Sequence, residues 1–353
     1  MALPPALIIG TGRWVWSSLW HLMMSQMAPR STSGAYQRPE SSFRRRVYAA
    51  SADDAASANT GVLPSSGANL AADFPAESGR YLLIVGEGCP WAHRTLVVRA
   101  LKGLETAIDV VKVSPNVNAG GWKFDVPFEG LTTLPELYLR GQPGYRGRCT
   151  VPLLWDRQTS QVVNNESADI IVMLNDAFTP WASFPEQNLY PIALQEAIDR
   201  WNEKIYRTVN NGVYRCGFAQ TQAAYEQACA ELFETLDELD AILEKQRYVC
   251  GDRLTLTDVR LFTTLFRFDA VYFGLFKCNL RQIQSYPNLS AYLRDIYQTP
   301  GVRETCSLDA VKRDYYGNLF PLNPGGIIPM GPDALSFSLP HDRETLSQSH
   351  QAL

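Results

Sequence analysis

The chain has 353 residues, 46% of them hydrophobic and 19% charged, a composition that supports packed cores and a length that allows two domains. A net charge of −4 without an extended basic block argues against a nucleic-acid surface. Seven cysteines, scattered at 89, 149, 216, 229, 250, 278 and 306, argue for a reducing, cytoplasmic setting over a disulfide framework, and four histidines without paired spacing leave no expected metal site.

Residues 6 to 27 are apolar and rich in tryptophan, but Gly10, Gly12, Arg13 and His21 interrupt the run and make it too short to span a bilayer. A packed amphipathic helix is the first reading, an interfacial or targeting segment the second. From Pro29 to Gly79 the chain is rich in Ser, Ala, Gly and Pro and reads as an arm over the surface, with Arg44, Arg45 and Arg46 as a solvated face.

The apolar run Tyr81 to Val85 predicts a buried strand, and Leu96, Val97, Ala100, Leu101 and Leu104 fall at helical spacing after it. Gly86-Glu87-Gly88-Cys89-Pro90-Trp91-Ala92-His93-Arg94 joins the two, so Cys89 sits where a strand turns into a helix. The unpaired N–H groups and positive dipole of a helix start favour thiolate over thiol, and Pro90 suits the first helical position. Ala92 stands where a dithiol oxidoreductase carries its second cysteine, so a mixed disulfide on Cys89 must be resolved from outside.

Ile108 to Val113 predicts a second strand, followed over 114–148 by a stretch so rich in Gly and Pro that it reads as a long loop, with Trp122 free either to pack or to close over a ligand. Thr150 to Asp156 is a strand led by Pro152, which suits a cis bond that would let the Val151 backbone pair with an extended peptide. Val162-Val163 is its short partner. Glu166 and Ser167 then open a helix, as caps or as holders of an ammonium and a carboxylate.

Further on, Leu194, Ile198, Trp201 and Ile205 share one helical face, as do Leu232, Leu236, Leu239 and Leu243. Thr255 and Asp258 form a capping-box signal before Leu261, Leu265 and Phe268. These predict an all-helical second part.

The ordered set Cys89 to Arg94, Gly120-Gly121-Trp122, Arg148 to Pro152, Asn165-Glu166-Ser167, Asn210 to Tyr214, Arg267 to Tyr272, Phe276 to Asn279 and Asp314-Tyr315-Tyr316 before Asn323-Pro324 resembles the glutathionyl-hydroquinone reductases, the Xi-class glutathione transferases. The resemblance implies an α/β plus all-α fold, a thioredoxin-like domain followed by a glutathione-transferase-type helical bundle. It implies an arm over 1–79, a glutathione-binding domain over 80–180 with the long loop 114–148 inserted, a helical domain over 190–330 and a polar tail over 331–353. It also implies Cys89 as nucleophile, glutathione contacts at Trp122, Arg148, Val151, Glu166 and Ser167, and Tyr214, Tyr272 and Tyr315 around the hydroquinone and the sulfur. Glutathione would be the co-substrate, without a metal, and the chain a cytoplasmic homodimer.

The sequence departs from the pattern at Asp314, where histidine is expected, and at Gly317 to Phe320, in place of a more basic stretch. A cysteine-type, omega-like transferase acting on mixed disulfides or dehydroascorbate is the alternative.

Overall fold

The computed structural model describes residues 4–49, 74–116 and 121–348. Gly120, the middle of the arm and the last five residues lie outside that set. Six strands form one mixed sheet in the order β4-β3-β2-β1-β5-β6. At its centre β1 (Tyr81–Val85) is buried at every residue, which is why its sequence is a continuous apolar run and does not alternate. It pairs parallel with β2 (Asp109–Asn116) and antiparallel with β5 (Leu153–Asp156), and β6 (Gln161–Asn164) closes the far edge. The parallel pair is connected by α2 (Pro90–Lys102), which Gly103 ends in the left-handed conformation at φ 63°.

The stretch expected as a long loop is mostly regular structure. β2 runs on to Asn116, β3 (Gly121–Phe128) returns beside it, and β4 (Leu131–Thr133) leads into α3 (Leu134–Gly141). Its prolines are not breakers there. Pro127 lies where the β3–β4 register shifts, and Pro135 lies in the first turn of a helix capped by Thr133 and Glu136. Along β3 only Phe124 is buried; Trp122, Phe124, Val126 and Phe128 do alternate with Lys123, Asp125 and Pro127, but the glycines and prolines in and around the run mask that strand signal.

The arm covers the sheet's edge. Arg44 bridges Asn164 of β6, the Arg45 N–H donates to the Val163 carbonyl at 3.2 Å, and the Arg44 guanidinium pairs with Asp169. Arg44 stays exposed, as a solvated face would be, yet it and Arg45 also anchor the arm, because an open edge offers them backbone and carboxylate partners.

After α4 (Ser167–Asp176) the chain becomes helical: α5 (Gln195–Ile205), α6 (Gly212–Gly217), α7 (Gln222–Leu243), α8 (Leu256–Arg267), α9 (Pro287–Gln298) and α10 (Leu308–Asn318). Leu232, Leu236, Leu239 and Leu243 are fully buried, and the capping box of Thr255 and Asp258 is formed. π-helical turns at Tyr206–Asn210 and Phe268–Tyr272 interrupt the helical run and re-aim the segments after them.

Both ends differ from expectation. α1 (Pro5–Met27) is not packed along its length: Leu7, Ile8, Ile9, Trp14 and Leu22 are exposed, since consecutive apolar residues surround the helix and form no single stripe. Trp16, against Phe320, Trp20, donating to the Pro321 carbonyl at 3.2 Å, and buried Met24 tie it down. No helix among the described residues is long and apolar enough to cross a membrane. The polar tail instead folds back, with Phe337 against Phe266 and Tyr297, Arg343 donating to the carbonyls of Leu243, Gln246 and Arg247, and α11 (Glu344–Gln348) after it.

Candidate active site

Cys89 caps the N-terminus of α2, and its turn is held from the helical side of the molecule. Arg267, at the end of α8, donates to the carbonyls of Gly88 and Glu87, each at 2.9 Å, and to Nδ1 of His93 at 2.9 Å. Asp314 of α10 accepts the Gly88 N–H at 3.1 Å. Both glycines before Cys89 are sterically required. A Cβ at Gly86 would lie 2.3 Å from the Trp122 ring, and one at Gly88 would lie 2.4 Å from the Asp314 carboxylate.

The Cys89 sulfur is partly exposed and lies 3.6 Å from the Val151 carbonyl, which it faces as a thiol donor. Burial pushes the thiol up from its ordinary value, against the amides of Ala92 and Trp91 and the charges of Arg267 and Arg38, which favour the thiolate. The helix start does favour the thiolate, as the sequence predicts, but desolvation outweighs it, and the net direction is the reverse of the expected one. His93 does not act on the sulfur: buried, held well below its ordinary pKa and accepting from Arg267 at Nδ1, it is neutral and turns Nε2 toward Thr305 at 2.9 Å.

Two cavities adjoin along Arg38, Trp91, Arg148, Thr150 and Val151, and Cys89 lines one of them. One, of about 290 Å³, is lined by Cys89, Trp122, Arg148, Val151, Tyr214 and Tyr315 together with Asp314 and Leu319. The other, of about 250 Å³, shares Arg148 and Val151 with it and adds Glu166 and Ser167. The Val151–Pro152 bond is cis. Glu166 caps α4 through the Ala168 N–H at 3.0 Å and also lines the cavity.

Tyr272 is the exception. It is fully buried and lines neither cavity. It reaches the site through a hydroxyl chain in which Tyr315 Oη lies 3.0 Å from Tyr272 Oη and 2.5 Å from Tyr214 Oη. Burial raises all three phenols above their ordinary value, so all three are neutral donors at working pH.

Sequence reasoning assigned no role to four residues. Arg38, from the arm, lines both cavities and stacks over Trp91 at 4.0 Å, with Arg94 over the same ring at 4.4 Å. Ser41 donates to Glu166 at 2.9 Å. Arg267 and Asp314 hold the cysteine turn. Arg267 and Asp314 stood in recognised motifs, but nothing in the sequence pairs the arm or α10 with a turn so distant in the chain.

Residues 88–177 match the glutathione S-transferase N-terminal domain family and residues 222–295 the C-terminal domain family. The chain is 45% identical over 326 residues to glutathionyl-hydroquinone reductase YqjG of Escherichia coli, covering 90% of this chain and 93% of that protein. The chain belongs to the Xi-class glutathione transferases. The glutathione-bound structure of the Escherichia coli relative superposes on this Xi-class chain with a TM-score of 0.75, over 86% of this chain and 96% of that one, at 44% identity. A glutathione transferase Xi from Phanerochaete chrysosporium superposes at 0.77, over 87% and 100%, with 42% identity. Glutathionyl-hydroquinone reductase PcpF of Sphingobium chlorophenolicum is 42% identical over 325 residues, covering 90% of this chain and 94% of that protein. The fold is thus a thioredoxin-like domain followed by the transferase helices, as the sequence predicts.

Proposed function

We propose that the protein reduces glutathionyl-hydroquinones, using glutathione as co-substrate and Cys89 as nucleophile. The observation that carries this reading is the meeting of Cys89, at a helix start, with the Tyr214–Tyr315 hydroxyl pair in one cavity beside a second cavity walled by Val151, Glu166 and Ser167. The relatives named glutathionyl-hydroquinone reductase support it.

In the first half-reaction the Cys89 thiolate attacks the glutathione sulfur, the carbon–sulfur bond breaks, and its electron pair goes to the ring, which takes up a proton and departs as hydroquinone. Cys89 is left as a mixed disulfide with glutathione. In the second half a glutathione thiolate attacks the glutathione sulfur of that disulfide, releasing oxidised glutathione and the Cys89 thiolate. The absence of a second cysteine at Ala92 leaves external glutathione as the resolving thiol. Neutral phenols are suited to the proton step, since a phenolate could only accept.

Glutathione lies in this reading across the smaller cavity, its backbone on Val151, its ammonium on Glu166 and its carboxylates toward Ser167, Arg148 and Arg38, with Trp122 over the sulfur. The proposed organisation keeps a glutathione-binding domain at 80–180 and a helical domain at 190–330. The proposed assembly is a homodimer in the cytoplasm, a setting that seven free cysteines suit.

The test is turnover of glutathionyl-menadiol with glutathione, following menadiol and oxidised glutathione released one to one. Cys89→Ala should lower kcat/KM by about a thousandfold or more, and a variant within tenfold of wild type would overturn the nucleophile assignment. Turnover of a simple mixed disulfide with none of the hydroquinone adduct would favour the omega-like alternative.

A further inference from the structure

The larger cavity is electrically divided. At the end shared with the smaller cavity stand Arg38 and Arg148, whose charges suit the two carboxylates of glutathione. Asp314, a carboxylate, lines only the larger cavity, in the part not shared with the smaller one, as do Tyr315, Leu319, Pro115 and Trp122. Its hydrogen bond with the Gly88 N–H fixes that carboxylate one residue from Cys89, at a point where only glycine leaves room for it. Among the described residues no lysine or arginine forms an ion pair with it; the charges that act on it are those of Arg313, Glu87 and Arg267, and Arg267 is already engaged with the cysteine turn.

We propose that Asp314 determines which rings the site accepts: glutathionyl-hydroquinones with neutral, apolar rings enter, and rings bearing a carboxylate or another anion are turned away. The inference rests on the reductase reading for the identity of the substrate, and on the cavity alone for the charge selection. An incoming anion would have to approach a fixed carboxylate across a partly desolvated space, where like charges repel more strongly than in water. A neutral ring meets no such repulsion, and Leu319, Pro115, Trp122 and the phenols offer it an apolar wall. Burial raises the Asp314 carboxyl to about 6, so the group carries its charge at pH 7.5.

The experiment compares kcat/KM at pH 7.5 for the glutathione adducts of menadiol and of 2,5-dihydroxybenzoate, in wild type and in Asp314→Asn, whose side-chain carbonyl still accepts the Gly88 N–H. Wild type should prefer the neutral ring at least tenfold, and Asp314→Asn should bring the ratio within threefold by gaining rate on the carboxylated ring. Asp314→Glu, which keeps the charge, should keep the preference and guards against a trivial loss of folding.

A second arm needs no turnover: alkylation at the Cys89 peptide by iodoacetate and by iodoacetamide, followed by mass spectrometry. Asp314→Asn should speed iodoacetate relative to iodoacetamide at least fivefold. Unchanged ratios in both arms would overturn the role of Asp314 while leaving the reductase reading in place. Failure of wild type to turn over either adduct would count against the reductase reading, and the alkylation ratio would then decide the charge selection alone.

Discussion

Burial and hydrogen bonding act in opposite directions on the Cys89 thiol, and burial prevails. Because alkylation requires the thiolate, its rate in the free protein should keep climbing with pH through and beyond about 8.5, the ordinary cysteine value. A plateau below neutral pH would contradict the structure. Arg38→Gln removes one of the charges that favour the thiolate and should shift the profile further up. Tyr214→Phe is expected to lower turnover of glutathionyl-menadiol by about a hundredfold, while sparing a small glutathione mixed disulfide whose thiolate leaves without a proton. If both activities fall together, the hydroxyl serves binding or folding. Cys89, Glu166 and Ser167 were legible because strand, turn and helix signals lie in immediate sequence around them. Asp314 and Arg38 were not, since their effect on Cys89 arises only when α10 and the arm are packed against the cysteine turn.

At the scale of elements, the start of α8 carries an unusual concentration of hydrogen bonds on one carboxylate. Asp258 accepts from the N–H of Val249 at 2.9 Å, the N–H and hydroxyl of Thr255 at 2.8 Å each, and the hydroxyl of Tyr292 at 2.9 Å, all buried. Asp258→Ala would leave those donors without a partner and should destabilise the fold by about 3 kcal/mol or more, read as a fall in the urea midpoint. This box was visible in the sequence because its two residues lie three apart. The equivalent box at Thr133 and Glu136 was equally local but was obscured by the surrounding Gly and Pro, and with it the β3–β4 hairpin. The arm offers a sharper contrast. Removing residues 1–15 spares Trp16, Trp20 and Met24 and should move the melting temperature by less than about 2 °C. Removing residues 1–42 also takes away Arg38 and Ser41 and should weaken glutathione binding at least tenfold by calorimetry.

At the scale of the whole molecule, the cysteine turn belongs to the sheet by sequence and to the helices by hydrogen bonding, since Arg267 and Asp314 come from α8 and α10. Arg267→Met would leave three acceptors at the junction without their donor. The expected result is a lower melting temperature together with a higher pH midpoint for Cys89 alkylation, two measurements that a change confined to α8 would not move together. For the proposed homodimer, sedimentation should give twice the 39.5 kDa of one chain, with or without residues 1–15. The two-part architecture was readable from the sequence because each part follows its own periodicity. The way the parts meet was not, because buried Arg94, joining Ser167 to Asn210, and Arg267 are polar residues at positions where a helical pattern alone predicts only a polar face.

The hydroxyl chain has one open end. Tyr214 and Tyr315 touch the cavity, while Tyr272 closes the chain in the protein interior. In the proposed reaction such a chain would be a reservoir and not a conduit: a proton lent to the departing ring would have no route back from bulk water through buried Tyr272 and would return by the mouth through which it left. Reloading would then be part of every cycle. In mixtures of light and heavy water, the rate of hydroquinone release should follow a curved proton inventory, reporting more than one hydroxyl in motion, and Tyr315→Phe should straighten it.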